Sequence, residues 1–225
     1  MHPAPRPITL PIMGSEEEFF VRRIYCVGRN YVDHIREMKE GDERDDPFFF
    51  QKPRDSIVGD GESFPYPLDT EELEYEAELV VAIGREAVNV KSERSLDLVL
   101  GYAAGVDLTR RDRQRECRER MRPWEAGKSF DHSAPCGPIT SAAHMPDPNQ
   151  GTLRLTVNGE TRQSTDLKLM IWQVPEVLTQ LSRQYRLMPG DLIYTGTPAG
   201  VGQVNLGDVI RVEIDGLAPL TVTVA

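Results

Sequence analysis

"LEYEAELVVAIG", residues 73–84, places glutamates at 74, 76 and 78 and then runs apolar to Gly84. Successive side chains of a β-strand point to opposite faces, so residues two apart share one. Read as a strand, this stretch stands Glu74, Glu76 and Glu78 side by side, where like charges repel. One reading is a solvated strand face. The other follows from "LVVAIG", which carries the strand into a core. Carboxylates at the edge of a core need a cation or close hydrogen bonds to offset lost hydration. A hard divalent ion such as Mg2+, which takes oxygen ligands, meets that need. Two carboxylates two apart on one strand reach one ion together. Spacing alone does not choose between Glu74 with Glu76 and Glu76 with Glu78.

Outward from this stretch, strands dominate. "RRIYCVG" and "PFFFQKP" read as strands, and "YVDHIREM" as a short helix with Ile35 and Met38 three apart. "KEGDERDD" is a charged loop. "SERSLDLVLG" predicts a helix with Ser92 or Ser95 near its N-cap and Gly101 after it. "YAAGVDLT" is a strand, and "RRDRQRECRERM" a charged helix that stops before Pro123. "TLRLTVNGETRQS" is a hairpin turning at Asn158-Gly159. "PEVLTQLSRQYRL" is a helix with Pro175 in its first turn. "GDLIYTGTPAGVG" runs from a strand into a Gly-rich loop, and "DVIRVEIDGLAPLTVTVA" closes the chain as a hairpin. Without βαβ regularity, the pattern predicts an α+β fold with a rolled or barrel-like sheet.

The chain has 225 residues with 39% hydrophobic and 28% charged, ordinary for a globular protein with a real core. Its net charge of −10 argues against sequence-independent nucleic-acid binding, where phosphate neutralisation supplies affinity. No apolar run approaches the roughly 18 residues of a membrane span. Residues 1–21 read as an extended arm, not a secretion signal, ahead of a single domain over 22–225. Cys26, Cys117 and Cys136 form no close pair, as expected in a reducing compartment and hence the cytoplasm.

A third acidic ligand is offered by Asp107, at the end of the apolar "GYAAGVD" run. Its alternative role is an N-cap for the charged helix that follows. Lys128, between Gly127 and Ser129, is either a solvated surface group or a clamp for an anionic substrate beside a metal. His34 and Glu37 lie three apart on the short helix and so are neighbours, either on its surface or as an acid–base pair. "TGTPAGVG" lacks the G-x-x-x-x-G-K-[ST] pattern of a nucleotide phosphate cradle.

Seven segments in order resemble the fumarylacetoacetate hydrolase family: "YCVGRNYVDHIREM", "PFFFQKP", "EYEAELVVAIG", "GYAAGVDLTRRDRQ", "PWEAGKSFD", "VNGETRQ" and "LIYTGTPAGVG". They span nearly the whole chain from about residue 22. The resemblance implies a mixed β-roll of that family's C-terminal domain type, Mg2+ or Mn2+ as cofactor, a small β-keto acid as substrate, and a homodimer. It implies Glu76 and Glu78, the pair followed by Leu79, and Asp107 as metal ligands, with Glu74 flanking. It implies His34 and Glu37 as a water-activating dyad on a segment that closes over the site, and Lys128 as cationic donor to an enolate. Arg29, Lys52, Arg111, Gln114 and Thr197 match its substrate-binding positions. The expected reaction is hydrolytic cleavage of an acylpyruvate, above all fumarylpyruvate to fumarate and pyruvate. Decarboxylation of oxaloacetate or a related β-keto acid, tautomerisation, and an inactive metal-binding relative are the alternatives. The distal carboxylate of fumarylpyruvate calls for its own cation, from Arg29, Lys52, Arg111 or Arg122.

Overall fold

The computed structural model describes residues 7–38, 45–145 and 147–225. Most of the charged loop expected at 39–46, and His2, lie outside the described residues.

The main sheet has six strands in the spatial order Thr140–Ser141, Val99–Val106, Ala77–Ile83, Asp191–Tyr194, Arg23–Gly28, Phe48–Lys52. All neighbours are antiparallel except Asp191–Tyr194 with Arg23–Gly28. A second sheet of five strands runs Glu160–Asp166, Thr152–Val157, Val209–Ile214, Leu220–Val224, Ser63–Phe64. A small third sheet joins Thr109–Arg110, Leu73–Tyr75 and Gly202–Gln203. Neither large sheet closes on itself, so the α+β fold is a roll rather than a closed barrel. The hairpin at Asn158-Gly159 and the helix Val174–Gln184 with Pro175 in its first turn form where turn and cap chemistry place them.

Both faces of the main sheet are covered. Ala77, Leu79, Val81 and Ile83 enter the larger core, shared with the second sheet and the helix Val174–Gln184. Val80 and Ala82, with the opposite parity, enter a second core with Ile24, Cys26, Ala103 and Tyr194. Within the expected arm, Thr9–Pro11 pairs with Glu18–Phe20, and Leu10 and Phe19 are buried in that second core.

Three local expectations change. The stretch 73–84 is two strands interrupted at Glu76: Leu73–Tyr75 belongs to the small sheet and Ala77–Ile83 to the main one. The helix expected over "SERSLDLVLG" is only Ser92–Ser95 plus a 3-10 turn Leu96–Leu98, with Lys91 as its N-cap. Val99 already begins the strand that contains Gly101, because its apolar residues pair with Ala77–Ile83. Asp107 caps no helix: the helix Arg111–Glu119 begins after Arg110, with no side-chain cap.

Antiparallel register brings the acids together. Ala77 pairs with Val106 and Glu78 with Gly105, and the Asp107 amide donates to the Glu76 carbonyl at 2.8 Å. Asp107 therefore stands across from Glu76, on the same face as Glu78. Gly105 must stay small, since a Cβ there would lie 2.4 Å from Val80 Cγ2 and 2.8 Å from Tyr194 Cε1. Both neighbours are fully buried and cannot retreat. Gly105→Ala is expected to lower the unfolding free energy by about 1–3 kcal/mol, the usual range for overpacking a tight core. Urea denaturation measures this, and an unchanged midpoint would refute it.

Candidate active site

One cavity of about 30 Å3, enough for a few small atoms, is lined by Glu76, Glu78, Asp107, Lys128, Arg111, Gln114, His34, Thr197 and Arg29. Nine of the eleven site residues expected from sequence thus meet in one place. Glu37 stands behind His34, and Lys52 lines a broader cavity of about 870 Å3 next door. The two cavities share Arg29, Phe50, Trp124 and Lys128.

Ligand oxygens of Glu76, Glu78 and Asp107 lie within 4.8 Å of one another, and all three residues are buried. Their surroundings differ. Lys128 Nζ donates to Glu76 Oε2 at 2.8 Å, Asp107 Oδ2 at 2.9 Å and Thr109 Oγ1 at 2.7 Å. Arg111 donates to Glu76 Oε1 at 2.6 Å, Glu74 Oε2 at 2.5 Å and Gln114 Oε1 at 2.6 Å. Burial by itself raises the Glu76 carboxyl. Lys128 and Arg111 outweigh that and hold it well below the ordinary carboxylate range. Burial likewise disfavours the Lys128 ammonium, yet Asp107 and Glu76 hold it above its ordinary value. Glu78 is the opposite case. Burial, then the neighbouring Asp107 and Glu76 charges, push it well up, against one short bond from the Gly196 amide at 2.6 Å.

This donor set fits a divalent cation. The buried Asp107 Oδ1 is paired with the Lys52 ammonium at 2.9 Å but lacks a hydrogen bond of good geometry, while Lys52 donates to the carbonyls of Leu108 and Lys128. Among the described residues no lysine or arginine pairs with Glu78. A carboxylate oxygen short of a hydrogen bond and a carboxylate without a cation, beside a third acid, form the all-oxygen environment that hard cations take. Glu76, Glu78 and Asp107 are the residues that would hold the ion.

Two expected substrate cations are already committed. Lys52 is buried against Asp107 and two carbonyls, and Arg111 is spread over Glu74, Glu76 and Gln114. Arg122 is exposed and lines neither cavity. Arg29, in the left-handed region at φ 59°, lines both.

The dyad is assembled. His34 Nδ1 lies 3.3 Å from Glu37 Oε2, and the Gly200 amide donates to both Glu37 oxygens at 3.1 and 3.2 Å. Partial burial raises Glu37, but the bonds from His34 and Gly200 prevail and hold it below its ordinary value. The loop after Asp191–Tyr194 serves three groups at once: Gly196 reaches Glu78, Gly200 reaches Glu37, and Thr197 faces the cavity. Two buried amides that sequence reading passed over hold this loop. Asn30 donates to the Thr195 and Trp172 carbonyls at 2.7 and 2.9 Å. Gln163 donates to Thr197 Oγ1 at 2.9 Å and to the Pro198 carbonyl at 2.8 Å. The only sequence signal was a carboxamide inside each of two quoted motifs, "GRNY" and "NGETRQ".

Residues 23–225 match the fumarylacetoacetate (FAA) hydrolase C-terminal family. A fumarylpyruvate hydrolase from Ralstonia sp is 42% identical over 79% of this chain and 92% of its own. The mitochondrial oxaloacetate tautomerase FAHD1 of Homo sapiens is 39% identical over 89% of this chain and 90% of its own. The crystal structure of fumarylpyruvate hydrolase from Pseudomonas aeruginosa in complex with Mn2+ and pyruvate superposes with a TM-score of 0.95 at 48% identity. That match covers 99% of this chain and 97% of the other.

Deleting one anionic ligand from an all-carboxylate site weakens a hard cation strongly. Glu76→Gln, Glu78→Gln and Asp107→Asn are each expected to reduce Mn2+ affinity in calorimetric titration, and Glu74→Gln to leave it nearly unchanged. Mn2+ binding that survives in Glu78→Gln and disappears in Glu74→Gln would shift the ligand pair by two residues along the chain.

Proposed function

Because this chain belongs to the fumarylacetoacetate hydrolase C-terminal family, we propose that it is a metal-dependent hydrolase of acylpyruvates, splitting fumarylpyruvate into fumarate and pyruvate. The observation that carries this reading is the shared cavity. A buried carboxylate triad suited to a divalent ion and a histidine–carboxylate dyad suited to activating water face the same small space. Similarity to two fumarylpyruvate hydrolases, at 42% and 48% identity, supports the choice of acyl group.

Mg2+ or Mn2+, when bound by the triad, supplies the positive charge needed as negative charge grows on the oxygens of a 2-oxo acid. The remaining roles fall to side chains. Thr197 donates its hydroxyl hydrogen to the carboxylate of the pyruvoyl half. Glu37 accepts from His34 Nδ1–H, which leaves Nε2 as the basic nitrogen. His34 takes a proton from water through Nε2, and the resulting hydroxide attacks the distal carbonyl carbon. The tetrahedral centre collapses, and the bond to the pyruvate methylene carbon breaks with its electron pair passing into pyruvate enolate. Lys128 is assigned as donor to the enolate oxygen, which requires it to exchange one of its three present acceptors for that oxygen. The proton on His34 returns to the enolate carbon and regenerates the base. Lys52 and Arg111, given their partners, hold Asp107 and Glu76 in place. Arg29, on the wall between the two cavities, is assigned to the distal carboxylate.

An oxaloacetate tautomerase or decarboxylase would use the same cavity, and similarity to the human tautomerase keeps that reading in view. Neither reaction needs activated water, so the His34–Glu37 pair favours hydrolysis. We also propose a cytoplasmic homodimer. The compartment is supported by three buried, unpaired cysteines, and the dimer by family membership.

The direct test incubates the purified protein and Mn2+ with fumarylpyruvate, acetylpyruvate and oxaloacetate, following loss of enol absorbance and formation of pyruvate. A charge-assisted bond to the distal carboxylate is worth roughly 1.5–3 kcal/mol, so kcat/KM for fumarylpyruvate should exceed that for acetylpyruvate by about one to two decades. Arg29→Met should erode this preference. Turnover of oxaloacetate alone would establish the rival reading. In a second experiment, His34→Ala should abolish hydrolysis while Mn2+ affinity, read by titration, stays intact. Equal loss of Mn2+ binding would place His34 among the ligands instead.

A further inference from the structure

Gln163 lies in the strand Glu160–Asp166 of the second sheet, is 1% exposed, and touches the site from behind. Its side chain makes three bonds. Oε1 accepts from the Ala77 amide at 2.9 Å, and Nε2 donates to the Pro198 carbonyl at 2.8 Å and to Thr197 Oγ1 at 2.9 Å. The two ends of a carboxamide are usually hard to tell apart, but here the neighbours settle them. Ala77 N–H offers only a donor and the Pro198 carbonyl only an acceptor. Nitrogen therefore faces Thr197, and the Thr197 hydroxyl must accept from it. A hydroxyl that accepts there cannot give its own hydrogen to Gln163.

We infer that Gln163 is a positioning residue that sets the direction of the Thr197 hydroxyl, so that Thr197 presents a hydrogen to the carboxylate of the 2-oxo acid. The inference rests on the acylpyruvate reading of this cavity. Gln163 acts on a second point as well. Ala77 is the residue between Glu76 and Glu78, so one carboxamide ties the peptide between two ligand carboxylates to the loop that carries the substrate donor. Thr197 is only 3% exposed and lines the cavity. With a hydroxyl free to rotate, an anion would meet its lone pairs as often as its hydrogen. With Nε2–H of Gln163 occupying one lone pair, the hydrogen is kept off the Gln163 side and left to the two remaining positions before the anion arrives, which is how preorganised donors gain their effect.

The test is a double-mutant cycle read as pyruvate affinity by calorimetry on the Mn2+-loaded protein, with thermal unfolding recorded alongside. Gln163→Met and Thr197→Val should each weaken pyruvate by about ten- to a hundredfold, the worth of one hydrogen bond to a charged group. The double variant should be no weaker than Thr197→Val alone, because Gln163 acts through that hydroxyl. Thr197→Ser, which keeps the hydroxyl, should restore affinity. Additive losses in the double variant would overturn the inference and reduce Gln163 to a structural strut. Should Gln163→Met fail to fold, Gln163→Glu decides, since its carboxylate keeps an acceptor for the Ala77 amide but gives Thr197 no donor and draws the hydroxyl hydrogen away from pyruvate. Unchanged pyruvate affinity in that variant overturns the inference. Absence of pyruvate binding by the wild-type protein overturns the substrate reading and this inference with it. Binding that is equal in wild type and variants overturns the inference alone.

Discussion

Three carboxylates share one buried face with their ligand oxygens within 4.8 Å of one another. Burying them costs hydration that only opposite charge or hydrogen bonds restore. Much of the surrounding structure answers that cost. Four acids, Glu74, Glu76, Glu78 and Asp107, face three cations, Lys52, Lys128 and Arg111. Lys128 bridges Glu76 and Asp107, Arg111 bridges Glu74 and Glu76, and Lys52 stands against Asp107. The deficit falls on Glu78, which is left with one backbone amide and is pushed up first by burial and then by its acidic neighbours. A protein wanting only stability would replace such a cluster with packed apolar groups. The carboxyl that no cation answers is the one a divalent ion would bind.

The second constraint is the loop that follows Asp191–Tyr194. It must place one amide on Glu78, another on Glu37, and a hydroxyl in the cavity within five residues. Such a path requires unusual backbone. Gly196 has φ +95°, and a Cβ there would lie 2.7 Å from Asn30 Cβ. The loop is then fastened from both sides by carboxamides, Asn30 from the strand end that leads into the dyad helix and Gln163 from the second sheet. Through these bonds the strand that carries the acidic triad, the His34–Glu37 pair and Thr197 are tied together, although they come from distant parts of the chain.

Much of this was legible in the sequence, for specific reasons. Alternation of apolar residues and turn chemistry marked the strands and the Asn158-Gly159 hairpin, because those signals are local. The E-x-E-x-E run announced the acidic cluster, because like charges entering an apolar strand demand compensation. The partners of that cluster were not legible. Lys52 and Arg111 read as cations awaiting a substrate, and only the tertiary packing reveals that Asp107, Glu74 and Glu76 already hold them. Glu74 is explained by the same bonds: it answers Arg111. The helix expected after Ser92 was shortened because pairing with Ala77–Ile83 outcompeted local helical preference from Val99 onward. Gln163 and Asn30 carried no charge or period to mark them. Their importance comes from bonds spanning 86 and 165 residues of chain.

A fumarylpyruvate hydrolase at 42% identity and an oxaloacetate tautomerase at 39% stand almost equally near this chain. The fold and a buried acidic cluster therefore do not by themselves select the reaction. Both reactions need positive charge where an enolate develops, and the triad with Lys128 is built for that. They differ in whether water must be activated and in what lies beyond the reacting carbon. In the proposed reading the first difference falls to His34, whose imidazole is held by Glu37, which is in turn held by the Gly200 amide. The second falls, in that reading, where the tight cavity meets the broader one, at Arg29, Phe50 and Trp124. Selection thus lies in side chains at the rim of the carboxylate cluster. There, one hydrogen bond to a charged group, worth roughly 1.5–3 kcal/mol, suffices to favour one substrate over another while the buried cluster stays the same.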